Sequence, residues 1–357
     1  QLGVSTFHDW LETAGVEGLR GPDVHGLALA LGGNEASMEE LVSLYALLAN
    51  GGKQRALNTT LPHGGSLAAP QLLSPEASYL VLDILKDVQR PATLSIDTPE
   101  RPTVAWKTGT SFGHRDAWSI GIVGPYALAV WVGNFDGSAN PHLVGSVAAA
   151  PLFFSIVDSL NVVPSAPRPD AGLNLRLVNV CARTGDLPGR HCPGTKQSWF
   201  IPGVSPIKVS TIHRPVTVDA STGLRSCGLG RGPTRQQIYE FWPSDLRRVF
   251  RRAGISQRRP PVWEPGCDLE AKSNVGTAPR IASPLSTLAY QISVTASPEG
   301  IVFAAVSDAD TQTLYWFVDN QFVARVERDE RFFWKPRVGQ FRVKVVDDLG
   351  RADTIPL

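Results

Sequence analysis

This 357-residue sequence has a single methionine, a net charge of +1 and no long apolar run. Its first residue is Gln1 and its only methionine is Met38, so we expect a chain that was processed or cut from a longer polypeptide. No stretch reaches the roughly 18 uninterrupted apolar residues of a membrane span, and no signal peptide precedes the globular sequence. These absences exclude a membrane-spanning segment within the sequence and predict a soluble chain.

Charge and ligand motifs exclude two further classes of protein. With 34 basic and 33 acidic residues, the net charge of +1 gives no support for nucleic acid as the main partner. The seven histidines show no pairing at metal-ligand spacing, and no Gly-x-Gly-x-x-Gly or Walker loop is present to hold a phosphate. We therefore expect no metal ion, no cofactor and no nucleic acid.

Cysteine is rare as well, and its four positions are Cys181, Cys192, Cys227 and Cys267. Since no Cys-x-x-Cys pair is present, two disulfides in an oxidising compartment are favoured over a metal site. Pairing Cys181 with Cys192 and Cys227 with Cys267 would close the shortest loops. Four cysteines allow three pairings, and the sequence does not choose among them.

Glycine and proline are plentiful, with 33 and 28 residues, which indicates many turns and more strand than helix. Three segments nevertheless have helical periodicity. The first follows a Ser37–Glu40 capping box and ends at Gly51-Gly52, the second starts at Ser74-Pro75 and stops before Pro91, and the third runs from about Val147 to Leu160. The apolar faces predicted for the first two are Leu41, Leu44, Tyr45 and Leu48, and Val81, Ile84, Leu85 and Val88.

The most informative stretch is Lys107-Thr108-Gly109-Thr110, which follows the strand-forming Thr103-Val104-Ala105-Trp106 and precedes Ser111. Gly109 would leave one face of the strand bare, so that an extended ligand could pair with the edge while the cation and hydroxyls grip its carboxylate. The alternative is an ordinary buried strand with a bulge glycine. Two further apolar strands, Ser119–Val123 and Ala127–Gly133, flank a Gly124-Pro125 turn and predict a β-meander.

The Lys-Thr-Gly triplet is a signature of penicillin-binding proteins and class A β-lactamases. The run from Trp106 to Asp136 resembles the third to fifth strands of the transpeptidase domain of class A penicillin-binding proteins. Leu27–Gly33 and the helix that follows resemble the segment between that domain's Ser-x-Asn motif and its Lys-Thr-Gly strand. Helices followed by antiparallel strands predict an α+β fold, with an antiparallel-sheet transpeptidase part in residues 1–165.

The rest of the chain divides into two predicted regions. Residues 166–276 form a connecting region dense in Pro, Gly and Cys, and residues 277–357 alternate in strand fashion and predict a small immunoglobulin-like β-sandwich. The strands expected there are Tyr290–Val294, Ile301–Val306, Leu314–Val318 and Gly339–Val345, with a turn at Asp319-Asn320. This region resembles the C-terminal domain of the 1C type of class A penicillin-binding proteins, and Trp199–Pro206 fits that type too.

The resemblance implies acyl transfer through a serine acyl-enzyme, with peptidoglycan stem peptides and β-lactams as ligands. Lys107 would supply positive charge, and the Thr108 and Thr110 hydroxyls would bind the terminal carboxylate of the donor. The backbone N–H of Thr110 would form half of the oxyanion hole. Lys107 and Thr110 are thus the expected catalytic residues, and the expected substrate-binding residues are Thr108, Gly109, Thr110 and Ser111.

The nucleophile motif is missing from its expected place. The one Ser-x-x-Lys, Ser205–Lys208, lies after the Lys-Thr-Gly strand instead of before it, and Ser138–Asn140 and Ser159–Asn161 match Ser-x-Asn on the wrong side as well. Leu2–Val4 resembles the chain just after the family's Ser-x-Asn motif. We therefore expect an inactive piece of a bifunctional peptidoglycan synthase, whose parent adds a glycosyltransferase and a membrane anchor on the periplasmic side of the inner membrane.

Two other functions compete with this interpretation. One is a binding module that docks a periplasmic protein or wall polymer through the sandwich and through a basic helix at Pro243 to Ala253. That helix carries Arg247, Arg248, Arg251 and Arg252, and its basic face is either solvated or a contact surface for anions. The other is a β-lactamase or carboxypeptidase, which would not need the long C-terminal extension.

Overall fold

The computed structural model describes residues 2–58, 60, 69–91, 101–163, 172–228, 232–267, 276–286, 288–290 and 300–357. The chain forms two compact units, Gln1–Arg176 with Trp199–Ser205, and Leu177–Ser198 with Pro206–Leu357. The boundaries expected at residues 165 and 276 stay predictions. Among the described residues, no helix has the length and apolar character needed to cross a membrane.

The first unit contains helices, one three-stranded antiparallel sheet and a closing helix. Its helices are α1 (Val4–Thr13), α2 (Pro22–His25), α3 (Met38–Ala49), α4 (Pro75–Lys86) and α5 (Ala150–Ser159), with a 3-10 turn at Gly26–Leu31 and a π-helical turn at Gly145–Ala149. The strands are β1 (Val104–Thr110), β2 (Asp116–Val123) and β3 (Tyr126–Gly133). The predicted meander and the predicted third helix are therefore confirmed.

The capping residues predicted at the starts of α3 and α4 make the expected hydrogen bonds. Ser37 Oγ accepts a hydrogen bond from the backbone N–H of Glu40 at 3.2 Å, and the Glu40 carboxylate accepts one from the backbone N–H of Ser37 at 2.6 Å. Ser74 Oγ accepts from the backbone N–H of Ala77 at 3.1 Å. Each side chain satisfies an N–H group that the first helical turn leaves without a partner.

The predicted apolar faces of the two helices are partly wrong. In α4, Ile84 is 69% exposed and Val81 is exposed, whereas Ser78 is fully buried, because this small side chain lets α4 pack closely on its neighbours α3 and β1. In α3 the fully buried residue is Leu47, one position before the predicted Leu48. Helical periodicity predicts that a helix is present, but the elements that pack against the helix determine which of its faces is buried.

The sheet follows the simplest antiparallel order, β1-β2-β3. Gly124, at φ +51°, and Pro125 make the two-residue turn between β2 and β3, with Val123 opposite Tyr126. On one face, Trp106 of β1 packs against Phe153 and Phe154 of α5, at ring-centroid distances of 6.1 and 4.7 Å. These rings are the centre of the first unit's core.

The second unit begins with hairpins tied by disulfides. Its strands and helix before the sandwich are β4 (Arg176–Cys181) paired with β5 (Thr195–Phe200), β6 (His213–Asp219) paired with β7 (Thr234–Glu240), and α6 (Ser244–Arg252). Cys181 is bonded to Cys192 and Cys227 to Cys267, which is the short-loop pairing among the three that the sequence permits.

Residues 276–357 form two antiparallel sheets around one core. The strands are β8 (Arg280–Ser283), β9 (Ile301–Val306), β10 (Thr313–Val318), β11 (Gln321–Glu327), β12 (Phe332–Trp334), β13 (Arg342–Asp347) and β14 (Ala352–Pro356), in the orders β11-β10-β13-β14 and β12-β9-β8. Phe303 of one sheet packs on Trp316 of the other at 5.2 Å. Asp319 and Asn320 both have positive φ, which confirms the predicted hairpin turn. Residues 291–294 of the strand predicted at Tyr290–Val294 lie outside the described residues, and the immunoglobulin-like type stays a prediction.

Buried ion pairs join the sandwich to the hairpins of the same unit. Asp308 pairs with Arg214 at 2.8 Å, Asp310 pairs with Arg225 at 3.3 Å, and Arg351 pairs with Asp310 at 2.8 Å. The first two pairs join residues on either side of residue 276, whereas Arg351 and Asp310 both belong to the sandwich. Because a buried charge without a partner costs several kcal/mol, these pairs hold the two segments in one arrangement.

We predict that the stability of the second unit falls in acid through Asp308. Burial alone would raise the pKa of Asp308, but Arg214 and the backbone N–H groups of Thr277 and Ala309 stabilise the carboxylate and hold the pKa below its usual 3.8. A lowered folded-state pKa contributes stability above the unfolded value, and this contribution disappears as the pH falls through the folded value. The unfolding free energy should therefore decrease below about pH 4.

The check is urea denaturation between about pH 7 and pH 3. Asp308→Asn should lower the neutral-pH stability by about 3–5 kcal/mol, because Arg214 loses its counter-charge, and should give a shallower acid slope than the parent chain. An acid slope unchanged by the substitution would contradict this assignment.

Candidate functional site

The Lys-Thr-Gly segment lies on an edge strand. Within the described part of the chain, β1 pairs with β2 and with no other strand, so its second edge is open. Lys107 to Thr110 form the last four residues of β1, and Ser111 begins the turn to β2. The segment therefore has both an exposed main chain and short polar side chains.

The hydrogen bonds at the turn fix which backbone groups point outward. The N–H of Ser111 donates to the carbonyl of Asp116 at 3.0 Å, and Ser111 Oγ accepts from the N–H of Asp116 at 2.8 Å. Successive N–H groups of a strand point to opposite edges. The N–H of Thr110 is therefore directed toward the open edge, as an oxyanion-hole donor would have to be.

The side chains of the segment divide between the two faces of the sheet. Thr108 and Thr110 share the face that α5 covers, whereas Lys107 and Gly109 share the other face. Thr110 Oγ1 accepts a hydrogen bond from the N–H of Gly145 at 3.0 Å, which leaves the hydroxyl hydrogen able to donate. The exposed Lys107 ammonium donates to the carbonyl of Thr108 at 2.9 Å.

Gly109 is not a bulge glycine, and the interpretation as a buried strand with a bulge is wrong. The β1–β2 register passes through the Gly109–Trp118 pair without a shift, and Gly109 is exposed. A Cβ added at Gly109 would lie 3.4 Å from Trp118 Cβ, an ordinary contact distance. Neither backbone conformation nor packing requires glycine here, so the bare face is available to a ligand.

Gly145 is a site residue that the sequence analysis missed. A Cβ at Gly145 would lie 2.4 Å from the carbonyl oxygen of Gly109 and 2.7 Å from that of Trp118. Only glycine therefore lets the π-helical turn before α5 approach β1 and donate to Thr110. The available signal was the run of mostly small residues that precedes α5, which is Gly145, Ser146, Val147, Ala148 and Ala149.

The Ser205–Lys208 motif has local structural roles. Ser205 Oγ accepts a hydrogen bond from the N–H of Ile201 at 3.0 Å, within a turn of the first unit. Lys208 lies in the second unit, where its ammonium is 3.7 Å from the Asp186 carboxylate. This is not the geometry of a nucleophile that opens a helix with its lysine one turn later.

The basic helix is not a uniformly solvated face. Arg247 of α6 is only 1% exposed, and its guanidinium donates to the carbonyl of Ala309 at 3.1 Å. Burial, with the neighbouring Arg328, lowers the pKa of Arg247 to about 10. Arg251 is exposed and pairs with Asp329 at 2.7 Å. One of the four predicted basic side chains is therefore part of the core, since α6 packs on the sandwich.

Three groups of side chains in the described residues lie close enough to share a metal ion. Two of them contain a disulfide: Cys181, Cys192 and His213, and Cys227, Glu264 and Cys267. The third is His8, Asp9 and Glu12 on α1, where His8 Nε2 is already 2.9 Å from the carbonyl of Arg20. The fold thus brings His213 next to a cysteine pair, which sequence spacing did not reveal.

Comparison with known proteins finds similarity to one family. The model of the Penicillin-Binding Protein C-terminus Family matches residues 268–357, and that of the penicillin-binding protein 1A C-terminal domain matches residues 174–215. The chain is 25% identical over 363 residues to penicillin-binding protein 1C of Escherichia coli strain K12, an alignment that covers 92% of this chain and 43% of that protein. The chain is similar to the class A penicillin-binding proteins. It corresponds to their C-terminal part.

Other relatives match a shorter stretch. Penicillin-binding protein 1A of Clostridium tetani is 27% identical over 206 residues, covering 55% of this chain and 25% of that protein. The chain therefore spans less than half the length of these penicillin-binding proteins. A crystal structure of penicillin-binding protein 1A from Haemophilus influenzae matches 58% of this chain and 38% of that chain, with 19% identity and a TM-score of 0.44.

We predict opposite effects of alanine at the two glycines of the site. Gly145→Ala should lower the unfolding free energy of the first unit by about 2 kcal/mol or more, because its Cβ would overlap two carbonyl oxygens of the sheet. Gly109→Ala should leave it unchanged or raise it by up to about 1 kcal/mol, since alanine restricts the unfolded chain and meets no clash. Urea denaturation followed by tryptophan fluorescence measures both; equal destabilisation would refute the packing argument.

Proposed function

We propose that this chain is the part of a serine-type DD-transpeptidase that holds the peptide donor during peptidoglycan cross-linking. The reaction is acyl transfer: a serine attacks the terminal amide of a stem peptide, and an amine of a second stem then takes the acyl group. β-Lactams would be bound by the same groups. Similarity to the penicillin-binding proteins supports the reaction class, and the geometry of β1 supports the role of this chain in it.

The open edge of β1 is the observation on which the proposal rests. An extended peptide can add to such an edge through main-chain hydrogen bonds. The outward N–H of Thr110 would then donate to the carbonyl oxygen under attack, where negative charge develops in the transition state. The exposed Gly109 would let the donor backbone approach, because no Cβ stands in its path.

The polar side chains would hold the charged end of the donor. Lys107 is exposed, so its ammonium can swing from the Thr108 carbonyl toward a carboxylate without breaking a buried contact. The Thr110 hydroxyl accepts from Gly145 and retains one hydrogen to donate, and the Thr108 hydroxyl supplies a second donor. Ser111 is committed to the turn through its contact with Asp116, so its proposed contribution is to fix the end of the strand.

The reacting serine would come from a part of the parent protein outside this sequence. The one Ser-x-x-Lys here lies beyond β1 and has local structural contacts. We infer a parent enzyme in which an upstream segment supplies the nucleophile, with a glycosyltransferase domain and membrane anchor on the periplasmic side of the inner membrane. The chain by itself would then be catalytically inactive.

Labelling with a fluorescent penicillin tests this proposal. The 357-residue chain should gain no covalent adduct by intact mass, because under this proposal the nucleophile lies in the upstream segment. A longer polypeptide that includes the upstream segment should be acylated at one serine. In that polypeptide, Lys107→Ala should slow acylation about 10²–10³-fold through loss of electrostatic stabilisation.

Arg115→Ala, which removes one exposed cation from the β1–β2 turn, is the matched control and should acylate at the parent rate. A stoichiometric adduct on the chain alone would overturn the proposal, because a serine within it would then be the nucleophile. Equal rates for the Lys107 and Arg115 variants would remove Lys107 from the mechanism.

A second candidate function, docking of a periplasmic protein, is favoured by two exposed rings of the sandwich. Phe322 of β11 is 60% exposed and Phe333 of β12 is 61% exposed. Aromatic side chains contribute much of the binding energy at protein interfaces. If the sandwich is a docking surface, a Phe322→Ser, Phe333→Ser variant should lose the partner in a pairwise binding assay while keeping the parent melting temperature.

A further inference from the structure

Cys181, Cys192 and His213 form a compact group in the second unit. Their ligand atoms all lie within 4.8 Å of one another, and His213 Nδ1 is 4.0 Å from Cys181 Sγ. Cys181 and His213 are buried. We propose that reduction of the Cys181–Cys192 disulfide converts this group into a zinc site, with two thiolates and one imidazole as ligands. Thiolate and imidazole are the ligands that Zn²⁺ takes in structural sites.

The second nitrogen of His213 supports this assignment. His213 Nε2 is buried without a hydrogen-bond partner among the described residues, and it lies 4.0 Å from the Glu240 carboxylate. Glu240 is itself held by Arg183 at 3.1 Å and by the indole N–H of Trp242 at 3.1 Å. Metal-binding histidines commonly present their other nitrogen to a carboxylate in this way, which fixes the ring and raises its basicity.

Strand ends and backbone hydrogen bonds position all three proposed ligands. Cys181 ends β4, His213 begins β6, and the N–H of Cys192 donates to the carbonyl of Gly189 at 3.0 Å in the turn before β5. The N–H of Cys181 also donates to the carbonyl of Asp186 at 2.7 Å. Because these contacts do not involve the sulfur atoms, the loop keeps its shape when the S–S bond opens. A fourth ligand would be water.

The chemistry balances with a trialkylphosphine as the reductant. The phosphine gives two electrons to the S–S bond and leaves as its oxide, with oxygen from water, and the two sulfurs take up two protons. Binding of Zn²⁺ then displaces these two thiol protons and gives two zinc–sulfur bonds. The bound metal and the disulfide exclude each other, because each uses both sulfur atoms.

The second disulfide is a built-in comparison. Cys227 and Cys267 have Glu264 as their neighbour, and its carboxylate is already bonded to the N–H of Cys227 and the hydroxyl of Ser226, both at 3.0 Å. A carboxylate is a harder ligand than an imidazole, and this one already accepts two hydrogen bonds. Reduction of the Cys227–Cys267 disulfide should therefore not create a comparable zinc site. Zinc binding should therefore depend on one cysteine pair and not on the other.

The test measures Zn²⁺ and Co²⁺ binding to the full chain under nitrogen, before and after phosphine treatment. The oxidised chain should bind no metal, and the reduced chain should bind about one ion with the thiolate-to-cobalt absorption of a tetrahedral site. Cys181→Ser with Cys192→Ser should abolish binding, whereas Cys227→Ser with Cys267→Ser should keep it. Circular dichroism confirms that each variant is folded.

Glu240→Gln should weaken zinc binding about 10–100-fold without changing the stoichiometry, as expected for the partner of a ligating histidine. His213→Gln should weaken it further. Absence of metal binding by the reduced parent chain would overturn the proposal. Zinc binding that survives the loss of Cys181 and Cys192 would also overturn it, as would a cobalt spectrum without thiolate absorption. These measurements do not depend on a substitution at the buried His213.

Discussion

The packing of Trp106 against Phe153 and Phe154 is the contact on which the candidate site depends. Trp106 directly precedes the Lys-Thr-Gly segment, and its indole N–H also donates to the carbonyl of Val88 at 2.9 Å. Removal of one such buried ring typically costs about 3–5 kcal/mol. The contact therefore fixes α5 against the sheet and, with it, the turn whose Gly145 donates to Thr110. A rigid core sets the position of an exposed edge.

Ion pairs fix the arrangement of the segments in the second unit. Arg225 is held by Asp310 at 3.3 Å and stacks on Trp263 at 4.0 Å, and Arg351 reaches both Asp310 and Asp347. Hydrophobic residues of similar volume could stabilise such an interface equally well. Ion pairs, however, are satisfied in one register only, so they specify how the disulfide-tied hairpins meet the sandwich. By the same argument, Arg247, which shares Asp329 with Arg251, helps to specify how α6 packs on the sandwich.

Local signals predicted those parts of the molecule that neighbouring residues determine. The Ser37–Glu40 box, the Gly124-Pro125 turn and the Asp319-Asn320 turn depend on contacts a few residues apart, and all three are confirmed. Long-range packing could not be predicted in this way. Nothing in the sequence places His213 beside Cys181, or buries Arg247 while Leu246 and Val249 of the same helix are exposed. Strands β8 and β12 were missed because they are short and pair only with the distant β9. Strand β14 was missed although it pairs with the neighbouring β13.

The two glycines of the site show how much a motif can say about function. Gly145 is required by the fold, since any side chain there would overlap the carbonyl oxygens of Gly109 and Trp118. Gly109 is free of such constraints, because its neighbours leave ordinary contact distance for a methyl group. Gly109 lies on an open edge beside the exposed Lys107, where the proposed donor peptide would approach. Under the proposed function the motif would leave space for a ligand, and the contacts of Trp106 and Gly145 behind it fix the position of the strand.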